Sequence, residues 1–356
     1  MVIDASPLTV LATAAIALLG VALTVLFDVW WDRPTTQSIV VGLGSSAAGW
    51  GVWLAVAAIV QPAIDSRLTL LLGALAGLAA ALAIASIRFA GFRTLPALSF
   101  AVPWTAAVFT PVAIALFSLT DGLLGAGLKT LDLAGALPVL VAAGCAGLAV
   151  LLIERRTPAG ARTAPRWWLI GGVFAAVWLL WMFWLIGLEL AIDEVTGRII
   201  TNGLIAPVAS ATAWLIVQRI RQAATTPVAA VAGLFCGLVA ITAGCGYLNP
   251  VGAVLTGAIA GAVSALVGYS LIRRTGQPAW MLVTVLVVGA SIGVVLLGAF
   301  ATRAGLMFTG QPEVLFSQFT STVIVAGYAA LVSIAIWLPL RALIRRTRSG
   351  GRARRF

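Results

Sequence analysis

Long apolar stretches separated by short polar ones repeat along the whole of this 356-residue chain. An uncharged stretch of about 20 residues can cross a hydrocarbon core of roughly 30 Å as an α-helix. The pattern predicts an all-α, polytopic membrane protein with eleven such helices. Their predicted spans are about 7–28, 37–61, 67–90, 94–119, 131–153, 167–190, 198–220, 227–246, 250–272, 278–301 and 314–343.

The composition supports this interpretation. Hydrophobic residues make up 62% of the chain, charged residues make up 9%, and the mean hydropathy is +1.10. Soluble domains are far more polar. We therefore predict one transmembrane domain over 1–346 and a basic cytoplasmic tail over 347–356. The first span lacks a clear cleavage signature, which favours a retained helix over a signal peptide.

The distribution of basic residues predicts the orientation. If the N-terminus lies outside the cell, cytoplasmic segments hold 18 of the 22 basic residues, and Arg67, Lys129, Arg198 and Arg303 lie outside. This asymmetry follows the positive-inside rule. We predict a multi-pass plasma-membrane protein with a cytoplasmic C-terminus, whose net charge of +11 reflects contact with the lipid bilayer and no nucleic acid. The arginine-rich tail is either a stop signal beside anionic lipid or a docking peptide for a cytosolic protein.

The order of the spans suggests an internal symmetry. The longest polar loop, at 154–165, divides the chain into five spans, then five, then a long last one. Because five is odd, the second set enters the membrane from the opposite side, as in an inverted repeat. The last segment, from Pro312 to about Arg346, exceeds the bilayer thickness, so it must tilt or extend into the cytoplasm.

The chain contains no histidine. This absence excludes zinc-protease helices, Ser-His-Asp triads and imidazole proton shuttles. A match to the nucleophile elbow at Gly289–Gly293 lies inside an apolar span that offers no base. Cys145, Cys236 and Cys245 show no motif spacing and are interpreted as packing residues. The sequence therefore predicts no enzyme activity, no cofactor and no metal site.

Small residues spaced by four indicate close helix packing. In lipid, helices associate through close backbone approach, which glycine permits. We expect spans eight and nine to be buried against neighbouring helices. The pairs are Gly73 and Gly77, Gly233 and Gly237, and Gly257 and Gly261.

Ionisable and aromatic residues in the spans are candidates for function. Asp132 begins span five, where it could cap the helix or attract a cation. Glu189 ends span six and forms an acidic cluster with Asp193 and Glu194, interpreted as a solvated loop. In span six, Trp181 and Trp184 share one helix face, as either bundle core or a pore constriction.

Several sequence stretches resemble the ammonium transporter family, which includes the Rh glycoproteins. The strongest match begins at Asn202 and runs to Gly257, through NGLIAPVASATAWLIVQRI and GLFCGLVAITAGCGYLNPVGAVLTG. Further matches are LDLAG at 131–135 and GLMFTGQPEVLFSQ at 305–318. The resemblance implies eleven spans with a five-plus-five inverted repeat, a homotrimer, and a pore for ammonium or ammonia through each protomer.

The resemblance also assigns pore positions, and this chain departs from the family pattern at several of them. Two histidines face each other at mid-pore in the family, and here one position is Leu140 and the other is Val285 or Leu286. The outer recruitment site maps to Phe117 and Leu188, and the inner gating phenylalanine maps to Trp184. With these, Asp132, Trp181 and Asn202 complete the set of candidate pore residues.

Two hypotheses follow. The first is an ammonium transporter-like channel for ammonium, ammonia or a similarly small solute, with an apolar mid-pore in place of the histidine pair. The second is a non-conducting homologue that acts as a sensor or scaffold and engages a cytosolic regulatory protein. A membrane enzyme is disfavoured because no span carries a nucleophile with a base.

Overall fold

The computed structural model describes residues 6–30, 35–60, 66–89, 94–154 and 167–353. Within these ranges the chain is almost entirely helical, and the only β-pairing is an isolated bridge between Leu248 and Ala301. The main helices are Pro7–Trp30 (α1), Thr35–Val60 (α2), Ser66–Phe89 (α3), 94–117 (α4), Leu137–Ile153 (α5), Trp167–Gly187 (α6), Glu194–Gln222 (α7), Pro227–Ile241 (α8), Pro250–Thr275 (α9), Trp280–Phe300 (α10) and Glu313–Ala353 (α11).

The all-α membrane fold is confirmed. Among the described residues, nine helices are long and apolar enough to cross a membrane, whereas α5 and α8 are shorter apolar helices. The predicted spans 131–153 and 227–246 were too long, because α5 starts at Leu137 and α8 ends at Ile241. Segments outside the named helices adjoin these two, at 128–136 before α5 and at 242–249 after α8, and the count of eleven spans stays a prediction.

Packing within the two sets of five helices is consistent with an inverted repeat. In the first set α2 packs on α3, as α7 packs on α8 in the second, and α1 packs on α6 across the two sets. The fifth helix of each set, α5 and α10, contains a π-helical segment, at Leu137–Val141 and Val285–Gly289. The two halves show no strong sequence identity, so the sequence indicates this symmetry only through the number of spans.

The expected role of the small residues is confirmed for spans eight and nine. Gly237 in α8 and Gly257 in α9 lie so close to α7 that a Cβ on either would overlap its backbone at Ala206 and Pro207. A Cβ at Gly233 would lie 2.6 Å from Cα of Ala211. The glycines thus let three helices meet backbone to backbone, which lipid-embedded helices need in order to associate.

One buried ion pair joins the first three helices. Arg88 Nη1 in α3 donates to Asp28 Oδ2 in α1 at 2.6 Å, and Ser38 Oγ in α2 donates to the same oxygen at 2.6 Å. Sequence analysis counted Arg88 only as a cytoplasmic charge. It missed the pair because the partners are 60 residues apart in sequence. Burial of both charges is tolerated because each is paired and hydrogen-bonded.

The last helix, α11, has 41 residues. At 1.5 Å per residue this is about 60 Å, roughly twice the hydrocarbon thickness. Helix α11 packs on α5 and α10, and Arg341 forms an ion pair with Glu154 at the end of α5. Helix α11 continues without a break across the predicted boundary between residues 346 and 347, so this boundary stays a prediction.

Replacing Gly257 by alanine should destabilise the fold, because the new Cβ would meet the Ala206 carbonyl oxygen. Overpacking of this kind costs about 1–3 kcal/mol. Gly327→Ala in α11 is the matched control, because no atom lies within 4 Å of its Cβ position. Thermal unfolding of the detergent-purified proteins should show a lower midpoint for Gly257→Ala only. Equal midpoints would contradict the packing described here.

Candidate functional site

The segment 128–136, termed the Asp132 segment, leads into α5 and contains the site's acidic residue. Asp132 Oδ1 accepts from the Ala136 amide and Oδ2 from the Leu137 amide, both at 2.8 Å. Pro138 has no N–H, and the Val139 amide donates to the Gly135 carbonyl at 3.0 Å. Asp132 therefore satisfies donors that a helix start would otherwise leave unpaired. It lies outside α5 and is buried.

Gly135 brings Phe117 against this segment. Its φ of +77° is a left-handed conformation that glycine adopts without strain. A Cβ here would also lie 3.3 Å from Phe117 Cζ. The turn therefore needs glycine for its conformation. The missing side chain of Gly135 also leaves room for the Phe117 ring at the end of α4.

Trp184 contacts the same segment from α6. Its Nε1 donates to the Ala134 carbonyl at 3.2 Å, and its side chain is fully buried. Phe117, Asp132 and Trp184 come from three parts of the sequence, and the structure brings them together around one turn. We call this assembly the mouth cluster.

Trp181 lies one helical turn before Trp184 and packs on it. The ring centroids are 4.9 Å apart, with planes inclined by 47°. Trp181 also meets Phe235 of α8 edge to face, at 5.8 Å and 88°. Its Nε1 donates to Thr242 Oγ1 at 3.1 Å, and Thr242 Oγ1 in turn donates to the Leu238 carbonyl at 2.7 Å. Both tryptophans are thus held by stacking and by a hydrogen bond.

The π-helical segments of α5 and α10 contact each other and are apolar. Leu140 belongs to the first, Val285 and Leu286 belong to the second, and all three are buried. The helices approach closely, since a Cβ at Gly144 would lie 2.8 Å from Leu286 Cβ. Such π-helical insertions are often found at functional sites.

Asn202 and Leu188, the remaining candidate pore residues, are not part of the mouth cluster. Asn202 Nδ2 in α7 donates to the carbonyls of Cys245 and Leu248, at 2.8 and 2.7 Å. It therefore holds the connection 242–249 between α8 and α9. Leu188 is buried one turn beyond Trp184, and its amide donates to the Trp184 carbonyl at 3.2 Å.

The acidic cluster lies at the exposed connection between α6 and α7, as expected for a solvated loop, with Asp193 and Glu194 exposed and Glu189 half-buried. Asp193 caps α7 by accepting from the Val195 amide at 2.7 Å. Thr196 Oγ1 donates to Glu189 Oε2 at 2.6 Å. Glu189 lies in the connection between α6 and α7, where partial burial and then the adjacent Asp193 raise its pKa, against the effect of the Thr196 hydrogen bond. The cluster orders the start of α7.

Comparison with known proteins identifies the family. The model of the Ammonium Transporter Family matches residues 10–349, nearly the whole chain. The chain belongs to this family. The resemblance seen in the sequence is thereby confirmed, and relatives in the ammonium transporter family are transporters and not enzymes.

Individual family members show how far the likeness extends. The ammonium transporter of Bacillus subtilis is 29% identical over 272 residues, which cover 72% of this chain and 65% of that protein. The chain therefore spans less than two thirds of the length of the curated relatives it matches first. The crystal structure of Saccharomyces cerevisiae Mep2 has a TM-score of 0.80 at 20% identity, covering 94% of this chain and 86% of Mep2.

A structure described as a sensor Amt protein is also similar. Its TM-score is 0.78 at 18% identity, and the match covers 94% of this chain and 92% of the other. At these identities both structural matches establish the ammonium transporter fold. The family assignment therefore supplies the multi-pass membrane architecture, and the pore residues are argued from this chain alone.

Sequence reasoning missed Thr242 as a member of the site. It lies in the stretch GLVAITAGCGY, which sequence analysis used for the family resemblance and for its small residues and not for its threonine. A lone threonine at the end of an apolar helix is a weak signal, because such hydroxyls commonly bond their own helix backbone. Its contact with Trp181 joins residues 61 positions apart.

Thr242→Val should lower stability by about 1–3 kcal/mol, because the buried Trp181 N–H loses its acceptor. Thr212→Val in α7 is the control, since this exposed hydroxyl bonds only the carbonyl four residues earlier. Thermal unfolding followed by tryptophan fluorescence should separate the two. In a Trp181→Phe background the Thr242→Val effect should shrink. An unchanged effect there would contradict the role of the hydrogen bond.

Proposed function

We propose that this chain is an ammonium transporter-like channel that passes ammonia, or a similarly small neutral solute, through each protomer. The observation that carries the proposal is the apolar contact between the π-helical segments of α5 and α10, in a member of the Ammonium Transporter Family. Leu140, with Val285 or Leu286, would form the middle of the passage. The mouth cluster would form its outer end.

Asp132 would act at the mouth through its charge. Both of its oxygens already accept backbone amides, so it serves as a fixed acidic group and does not bind a solute as a mobile ligand. A carboxylate in this position favours cations nearby. The same carboxylate can therefore cap α5 and attract ammonium.

The aromatic pair would form the next stage. Both indole N–H groups are occupied, one by the Ala134 carbonyl and one by Thr242, so the rings are fixed. Phe117 and Leu188 would line the vestibule, and Trp184 would constrict the passage. Ring faces attract ammonium by cation–π interaction.

The apolar centre decides which species crosses. Leucine and valine side chains offer a cation no hydrogen bond, and moving an unpaired charge into such surroundings is very costly. We infer that ammonium gives its proton to water at the mouth and crosses as neutral ammonia. The proton then remains on the outer side, so the passage carries no charge.

Orientation and assembly follow the expectations from sequence and family. We propose a plasma-membrane protein with its N-terminus outside and its C-terminus in the cytoplasm, supported by the positive-inside distribution of the 22 basic residues. We also propose a homotrimer in the bilayer, as the family resemblance implies. The arginine-rich tail would engage a cytosolic regulatory protein or the lipid surface.

One observation favours a second function. Leu286 lies so close to the Gly144 position that the two helices leave little space between them there. A closed centre would suit a non-conducting homologue that acts as a sensor or scaffold through its cytoplasmic face. Transport measurements distinguish this function from the channel.

Leu140→Trp should reduce methylammonium uptake into proteoliposomes by at least about tenfold, because the larger ring fills a buried position in a tightly packed core. Leu152→Trp is the control, since Leu152 lies on the same helix and is 59% exposed. Its uptake should match that of the unmodified protein. Unmodified protein no faster than empty vesicles would reject the channel in favour of the non-conducting function.

A further inference from the structure

Gln318 of α11 is fully buried and bonds the Asp132 segment through both ends of its amide. Its Oε1 accepts from the Leu131 amide at 2.9 Å. Its Nε2 donates to the Leu131 carbonyl at 2.6 Å and to the Val294 carbonyl of α10 at 3.2 Å. One side chain therefore fixes the position and direction of the residue immediately before Asp132.

Two neighbours of Gln318 extend this contact. Ser317 Oγ donates to the Leu128 carbonyl, and the hydroxyls of Ser321 and Thr130 are 2.6 Å apart. Between these anchors Lys129 has a φ of +56°, a conformation that costs a non-glycine residue about 1 kcal/mol or more. The α11 contacts hold the chain in this unfavourable turn. We call the three α11 side chains the α11 clamp.

The residue after Asp132 is also held. The Leu133 amide donates to the Ala243 carbonyl at 3.1 Å, in the 242–249 connection that Asn202 holds. Residues on both sides of Asp132 are thus fixed by long-range hydrogen bonds. The direction of the Asp132 carboxylate depends on these two anchors as well as on its own bonds to the start of α5.

We propose that Gln318 is a positioning residue that sets Asp132 at the mouth of the passage, so that α11 controls how strongly the mouth attracts a cation. This inference rests on the proposed function, in which Asp132 acts through its charge. Gln318 would act through the Leu131 backbone, with no contact to the solute.

The chemistry of Gln318 exceeds what packing requires. Burying a primary amide among apolar helices is costly unless its donors and acceptor are paired. A leucine would fill a similar volume without that cost. The three hydrogen bonds give the glutamine a specific task, because no apolar side chain could hold a peptide N–H and C=O together.

Gln318→Leu removes the three bonds, and Gln311→Leu is the matched control at an exposed position before α11. In proteoliposomes, Gln318→Leu should raise the methylammonium concentration for half-maximal uptake about three- to tenfold, as expected for lost hydrogen bonds. The maximal rate should stay within about twofold. The control should change neither value. A fall in maximal rate alone would overturn the proposal.

A double variant tests whether Gln318 acts through Asp132. In an Asp132→Asn background, Gln318→Leu should change half-saturation much less than it does alone, because the charge to be positioned is gone. If the two substitutions change the half-saturation concentration by independent factors, Gln318 does not act through Asp132, and the proposal is overturned.

Hydrogen exchange supplies a readout independent of transport. Peptides covering 129–141 should exchange faster in Gln318→Leu than in Gln311→Leu, because the Ala136 and Leu137 amides lose their well-placed acceptor. Unchanged exchange would overturn the positioning role even if uptake fell. Exchange that rises in a protein with no uptake at all would keep the positioning of Asp132 and reject the proposed function.

A milder variant covers the case in which Gln318→Leu does not fold. Gln318→Asn keeps a primary amide but shortens the side chain by one methylene, so it weakens the bonds to Leu131 with less change in packing. It should speed exchange of the same peptides by a smaller factor. Exchange equal to that of the Gln311→Leu control would overturn the proposal.

Discussion

The structure depends on one constraint, the cost of leaving backbone polar groups unpaired inside a membrane protein. Residues 136–139 at the start of α5 are buried, so their amides would lack partners without further contacts. Asp132 accepts hydrogen bonds from the Ala136 and Leu137 amides, and Pro138 has no N–H. The Gly135 carbonyl accepts the Val139 amide. The acid that caps the start of α5 is also the buried carboxylate of the mouth cluster.

The residues that pack the helices differ from those that would contact a solute. Glycines of α8 and α9 let these helices pack against α7, and this packing does not depend on which solute is carried. In the proposed function, selectivity would belong to the passage, where the aromatic pair is held by Ala134 and Thr242 and where Leu140 meets an apolar α10. In our proposal the charge stays at the mouth because the centre offers nothing to stabilise it.

Sequence patterns predicted the helices, the symmetry and the close glycine contacts, because each depends on local periodicity or residue size. They predicted that Asp132 could cap a helix, but they placed the start of that helix at 131 and the structure starts it at Leu137. They missed Thr242, Gln318 and the Asp28–Arg88 pair. Each of these works through a partner 60 or more residues away, and only the folded chain brings such partners together.

The central claim is that a neutral solute crosses an apolar centre. The most direct test applies an ammonium pulse to proteoliposomes while luminal pH and membrane current are recorded together. Our account predicts luminal alkalinisation faster than in vesicles carrying Leu140→Trp protein, without a steady current. A steady inward current that grows with ammonium concentration would contradict it, because charge would then be crossing the leucine-lined centre.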